Sequence, residues 1–223
     1  MTTFALVHGA GGSGWDWHLL EAELRALGHD AVAPDLPADA ATATLSDYAD
    51  VVVDAVRDRE DVVVVGHSFG AFTAPLVAAA LPVRGLVLLA GMVPAPGEPP
   101  DDWWTATGWA HAAREQAAAD GGLTGHEDPR VCYYHDVPHA VATEALARER
   151  AHPSPAACAQ PWPLDAWPDV PTRFVLCTQD RLFPAAFQRR VVRERLGVVP
   201  EELDAGHCAA LAQPRPLARL LAR

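Results

Sequence analysis

Three features of the sequence predict an α/β fold built on a mostly parallel, six-stranded sheet with helices on both faces. Short apolar runs alternate with segments of helical periodicity. The apolar runs are continuous instead of alternating with polar residues, the pattern of strands buried on both faces. The alternation breaks once, between residues 94 and 168, and then resumes. At 223 residues, 50% hydrophobic and 21% charged, the chain has enough apolar material for one sizeable core and too little for two ordinary domains.

The first strand is expected at residues 4–7, followed by His8-Gly9-Ala10-Gly11-Gly12. Ser13 with Asp16 has the spacing of a capping box. Leu20, Leu24 and Leu27 then fall on one helical face, with Gly28 as the stop. A second strand, 31–33, closes on Pro34 and Asp35. Thr44 and Asp47 repeat the capping-box spacing, and Leu45, Tyr48, Val52 and Val56 give the next helix its apolar stripe. Val62-Val63-Val64-Val65 is the third strand, 71–81 its helix, ended by Pro82, and 85–89 the fourth strand.

From Pro94 to Pro168 no strand is expected, only helices at 109–119 and 141–150. Many prolines, five of the seven tryptophans and five of the ten histidines gather there. This stretch is too short and interrupted for a core of its own, which predicts a helical cap over 94–168 inserted into a core of 1–93 and 169–223. The rhythm resumes with a strand at 173–177. A helix at 184–196 follows, with proline at its start and Gly197 at its end. A short strand at 202–203 and a closing helix at 211–221 complete the chain.

A net charge of −12 argues against nucleic acid or an anionic membrane surface as a partner, leaving a small-molecule substrate. All 17 basic residues are arginines. The absence of lysine excludes Schiff-base chemistry, a phosphate-loop lysine and a serine–lysine dyad. Cys132, Cys158, Cys177 and Cys208 show no C-x-x-C spacing, so neither zinc nor a dithiol motif is expected. His135, Asp136 and His139 have an i,i+4 metal spacing, but Pro138 interrupts any helix there, and they are expected to be exposed cap residues. No metal and no cofactor are expected. Residues 4–7 are too short for a secretory signal core, and no run reaches a membrane span, so a reduced cytoplasmic location is expected.

The chemistry centres on Gly66-His67-Ser68-Phe69-Gly70, placed between the valine strand and a helix. A strand–turn–helix with serine at its apex strains that residue, and glycines two positions to either side remove the collisions. The result is an exposed hydroxyl at a strand's carboxyl end, a nucleophile in need of a base. His207 is the one histidine after the resumed strands, and Gly206 before it permits a tight turn. For the orienting acid, Asp180 lies just beyond the strand 173–177, where parallel strands present functional groups; Asp204 is the competitor, too close in sequence to His207 for an easy bond. The N–H groups of Phe69 and Ala10 are the candidate oxyanion donors. Trp103, Trp104 and Trp109 either line an apolar substrate pocket or pack the cap onto the core.

With these residues in hand, the chain resembles the α/β-hydrolases across nearly its whole length, in the compact branch of plant methylesterases and hydroxynitrile lyases. The resemblance rests on Leu6-Val7-His8-Gly9-Ala10 with Trp15 and Trp17, on the serine pentapeptide, on Thr178-Gln179-Asp180 with Phe183 and Phe187, and on Gly206-His207 with Pro214. It implies Ser68 as nucleophile, Asp180 as acid, His207 as base, and Ala10 and Phe69 as oxyanion donors. The similar lyases carry a lysine immediately after the catalytic histidine. Cys208 stands there in this chain, which implies ester hydrolysis over cyanide elimination; acyl transfer, another lysis, or ligand reception with slow turnover are the alternatives.

Overall fold

The computed structural model describes residues 1–223. The apolar runs form six strands: β1 (Thr3–Val7), β2 (Asp30–Val32), β3 (Val62–His67), β4 (Gly85–Leu89), β5 (Thr172–Cys177) and β6 (Glu201–Leu203). They make one sheet in the order β2-β1-β3-β4-β5-β6, and every pairing is parallel. The chain steps outward from β1 to β2, then crosses back to place β3 on the other side of β1. Such a reversal leaves a crevice at the carboxyl ends of the two strands it separates.

A 3-10 turn (Gly14–Trp17) leads into α1 (His18–Ala26), followed by α2 (Leu45–Val56) and α3 (Gly70–Ala80). Between β4 and β5 lie α4 (Pro100–Ala106), α5 (Trp109–Asp120), α6 (Pro129–Cys132), α7 (His139–Ala147) and α8 (Pro155–Ala159). The chain then forms α9 (Ala185–Leu196), α10 (Ala209–Ala212) and α11 (Pro214–Leu221). No helix is long and apolar enough to cross a membrane.

Side-chain alternation along the strands divides the core into two layers. Ala5, Val7, Val64, Leu86, Leu88, Phe174 and Leu176 pack with α2, α3 and α9, while Phe4, Leu6, Val65, Val87, Leu89, Val175 and Cys177 pack with α1 and α11. Each fully buried large side chain contributes about 1.5–3 kcal/mol through the apolar area it removes from water. The sheet is therefore covered on both sides, which is why its strands read as unbroken apolar runs.

Several local expectations need correction. Leu27 is 45% exposed because the helix ends at Ala26, turning it away from the buried Leu20 and Leu24. The capping box expected at Ser13 and Asp16 does form, Asp16 accepting the Ser13 N–H (2.9 Å), and it starts the 3-10 turn that leads into α1. At Thr44 both halves of the capping box form. The closing helix is split at Gln213 (φ −132°, ψ 52°), because the ring of Pro214 disfavours helical backbone in the residue before it. Between β4 and β5 the prolines start helices more often than they end them: α4, α6 and α8 each carry proline in the first turn, where its missing N–H has no partner to lose.

Buried bonds join this inserted stretch to the sheet-bearing part. Trp162 Nε1–H donates to the Phe72 carbonyl on α3 (3.0 Å), and Trp103 Nε1–H donates to Val93 (2.9 Å). Arg195 on α9 grips Glu98 through both terminal guanidinium nitrogens, Nη2 lying 2.8 Å from Oε1.

Candidate active site

The register of the central strands sets the site. Val7 pairs with Gly66, so the chain leaving β1 emerges beside the turn leaving β3. Ser68 sits at the apex of that turn with φ +51°, a left-handed conformation that a β-substituted residue enters at a cost of about 1–2 kcal/mol. Its N–H donates to Leu89 O (3.1 Å) and its carbonyl accepts from Met92 N–H (3.0 Å), which holds the strained geometry against β4. A Cβ on Gly66 would fall 2.7 Å from Ala74 Cβ, and one on Gly70 would fall 2.6 Å from the Val7 carbonyl oxygen. Both glycines are required by close approach.

Ser68, His207 and Asp180, expected to meet from three distant parts of the chain, form one buried hydrogen-bonded series. The Ser68 hydroxyl donates to His207 Nε2 (3.0 Å), and His207 Nδ1–H donates to Asp180 Oδ2 (2.8 Å), the tautomer following from the carboxylate partner. Asp180 Oδ1 accepts from the N–H groups of Leu182 (2.8 Å) and Phe183 (3.0 Å), so both of its oxygens are used inside the protein. Asp204, the competing acid, is turned away: its Oδ1 accepts from Thr178 Oγ1 (3.2 Å) and Gln179 Nε2 (3.1 Å).

Two histidines not singled out in the sequence hold the loops around this series. His8 Nδ1–H donates to Gly9 O (2.9 Å), and its Nε2 accepts from Leu36 N–H (3.1 Å), tying the loop after β1 to the chain beyond β2. Burial is the main cause that lowers the His8 pKa and keeps the ring neutral. His67 Nε2–H donates to the carbonyl of His207 (2.9 Å). Burial, then the proximity of His207, pushes its pKa down to about 3. A histidine inside a G-x-S-x-G pentapeptide lies at the same strand end as the serine, a signal that could have marked His67.

The loop after β1 passes against the serine, since a Cβ on Gly9 would lie 3.0 Å from Ser68 Cβ. The N–H groups of Ala10 and Phe69 donate to no acceptor in the protein, and both residues line the adjoining cavity. Its volume is about 370 Å³, and its lining includes Met92, Leu146, Leu182 and Leu211. Asp16, Asp101 and Glu149 also line it, and no arginine does.

Of the three tryptophans considered for substrate contact, Trp104 alone lines the cavity. Trp103 is buried against Phe183 and Phe187, and Trp109 donates its N–H to Leu182 O (2.8 Å); both pack the inserted helices onto the loop after β5. The expectation that His135 and Asp136 are exposed is corrected, for both are half-buried and bonded to loops of the sheet-bearing part. His139 is exposed, and no group of three His, Cys, Asp or Glu side chains is arranged to hold a metal.

The family model described as "Alpha/beta hydrolase family" matches residues 4–220. Methylesterase 7 of Arabidopsis thaliana is 26% identical, over 98% of this chain and 94% of its own length. Polyneuridine aldehyde esterase of Rauvolfia serpentina is 24% identical, over 98% and 93% respectively. Among solved structures, a pyrethroid hydrolase from Sphingobium faniae JZ-2 superposes with a TM-score of 0.78 at 22% identity, over 99% of this chain and 96% of that one, a likeness of fold.

Proposed function

The chain belongs to the alpha/beta hydrolase family, and from that premise we propose that it is a serine esterase that hydrolyses small or medium-sized neutral carboxylic esters through an acyl-enzyme at Ser68. The observation that carries this reading is the buried series Asp180–His207–Ser68, with its 2.8 and 3.0 Å hydrogen bonds. The names of relatives such as methylesterase 7 and polyneuridine aldehyde esterase support the same class of reaction.

In this mechanism His207 Nε2 takes the Ser68 proton as Oγ attacks the ester carbonyl. The negative charge that develops on the carbonyl oxygen rests on the N–H groups of Ala10 and Phe69, whose donors no protein atom occupies. Asp180 stabilises the imidazolium, which passes its proton to the leaving alcohol. Water, deprotonated by the same nitrogen, then attacks the acyl-Ser68 carbonyl and releases the acid. Cys208 brings no positive charge for a departing anion, since a thiol is either neutral or anionic, and burial followed by neighbouring carboxyl groups raises its pKa well above the usual range and keeps it neutral. That favours hydrolysis over cyanide elimination. The four cysteines, all free thiols, suit a reducing compartment, and a cytoplasmic location is part of the proposal. So is the reading of 94–168 as a cap over the cavity.

The test is Ser68→Ala, assayed on short aryl esters. Its turnover should fall about 10³-fold or more, and a serine-directed phosphonate should add to the wild type and not to the variant. Full activity in Ser68→Ala would refute the assignment.

A further inference from the structure

His207 and Asp180 stand on separate loops, after β6 and after β5, and one dipeptide from the inserted stretch touches both. Asp136 Oδ2 accepts the N–H of Gly206, the residue before His207, at 2.6 Å. His135 Nε2–H donates to the carbonyl of Gln179, the residue before Asp180, at 2.9 Å. The two loops are themselves bridged at this point, Gln179 N–H donating to Ala205 O (2.9 Å).

The approach is close. A Cβ on Gly206 would lie 2.5 Å from Asp136 Oδ1 and 2.7 Å from His135 Nε2. Gly206 does not adopt positive φ, so glycine is needed there to admit this dipeptide and not to make a left-handed turn. Asp136 Oδ1 is buried without any hydrogen-bond partner. A buried polar atom left unpaired costs about 1–3 kcal/mol, and such groups call for an explanation beyond stability. The His207 carbonyl is held from the serine turn by His67 Nε2–H (2.9 Å), and Tyr133 of the inserted stretch packs against the imidazole with ring centroids 5.7 Å apart. His207 is thus gripped on both flanks, by the serine turn on one and by the inserted stretch on the other.

We propose that Asp136 and His135 are positioning residues that fix the spacing of the His207 and Asp180 loops, so that the inserted stretch sets the geometry of the proton relay as well as roofing the cavity. This rests on the esterase reading of Ser68, His207 and Asp180. A displacement of about 1 Å at a reacting group can lower a rate on the order of 100-fold, so a single bond beside His207 is enough to matter. Neither residue lines the cavity, so the effect of both runs through the two loops they hold.

The experiment compares Asp136→Ala, Asp136→Asn and His135→Ala with wild type and with Ser68→Ala, on one neutral aryl ester. In Asp136→Ala kcat should fall about 10- to 100-fold with KM within about twofold, and the rate constant for phosphonate labelling of Ser68 should fall in parallel. Asp136→Asn keeps a carbonyl acceptor for the Gly206 N–H and should recover most of that loss. His135→Ala should give a smaller fall of the same kind. A folded Asp136→Ala with wild-type kcat, or one in which only KM rises, overturns the proposal. Equal impairment of Asp136→Asn and Asp136→Ala also overturns it. Should Asp136→Ala fail to fold, an unchanged kcat in His135→Ala overturns it instead. A Ser68→Ala protein that retains turnover would sink the esterase reading; an inactive one beside a fully active Asp136→Ala would sink the positioning role alone.

Discussion

The ring of His67 packs between Trp17 and the ring of His207, with centroids 6.0 and 4.8 Å away. Its pKa near 3 lies far below the 6.5 of a free imidazole. The unfolded chain takes up a proton at this residue as pH drops through 6.5, and the folded protein does so only near 3. Stability contributed by the neutral ring is complete above about 6.5 and is lost as pH falls toward 3, by about 1.4 kcal/mol per pH unit. His8, also lowered by burial, acts in the same direction. Urea unfolding between pH 7 and 4.5 should show this slope in the wild type. It should be shallower by about one proton in His67→Gln, whose amide can still donate to the His207 carbonyl; an unchanged slope would contradict the assignment. At this scale the sequence was legible wherever a residue's role depends on its immediate neighbours, as for Ser68 between its glycines. Asp136 was not legible, because its partner Gly206 lies 70 positions away and nothing local announces the contact. Gly206 itself reads as a turn residue, when a side chain from another part of the chain is what excludes a Cβ there.

The turn between β3 and α3 is the element on which the site depends, and it tolerates little. Alanine at position 70 would press its Cβ against two carbonyl oxygens of the β1 exit, Val7 at 2.6 Å and His8 at 2.7 Å. Neither oxygen is the far end of a flexible side chain, so the helix start or the loop must move. Gly70→Ala is expected to lower unfolding stability by about 1–3 kcal/mol, outweighing the roughly 1 kcal/mol that alanine gains over glycine in a helix. It should also depress kcat, because Phe69 N–H and the Ala10 loop are displaced together. Denaturant unfolding read beside ester turnover checks both; wild-type values for both would show that the contact relaxes freely. The strands and the helices packed on them could be read from the sequence because burial on two faces leaves an unambiguous apolar signature. The helices between β4 and β5 were harder. Short helices such as Pro129–Cys132 and Pro155–Ala159 span little more than a turn, too few residues for periodicity, and their opening prolines read as breaks.

For the whole molecule, the formal charge of −12 and the cavity wall act together. Asp16, Asp101 and Glu149 face the cavity, no arginine does, and burial raises the pKa of Asp16, as expected where a carboxylate is poorly compensated. A neutral aryl ester should be hydrolysed with kcat/KM at least about 10-fold above that of an analogue bearing a carboxylate on its acyl chain. The gap should narrow as salt screens the field over distances of about 10 Å. Equal rates at low ionic strength would show that the wall does not discriminate. The sheet's outline has a further consequence. Its two margins, β2 and β6, are three residues long, and Glu201 and Glu202 of β6 are occupied by Arg173 and Arg189. Little free backbone is left along either border for a neighbouring chain to zip onto, and guanidinium groups crowd one of them. A protein whose interior strands are this uniformly valine- and leucine-rich would otherwise be prone to fibre formation, and its stunted borders are the safeguard against it.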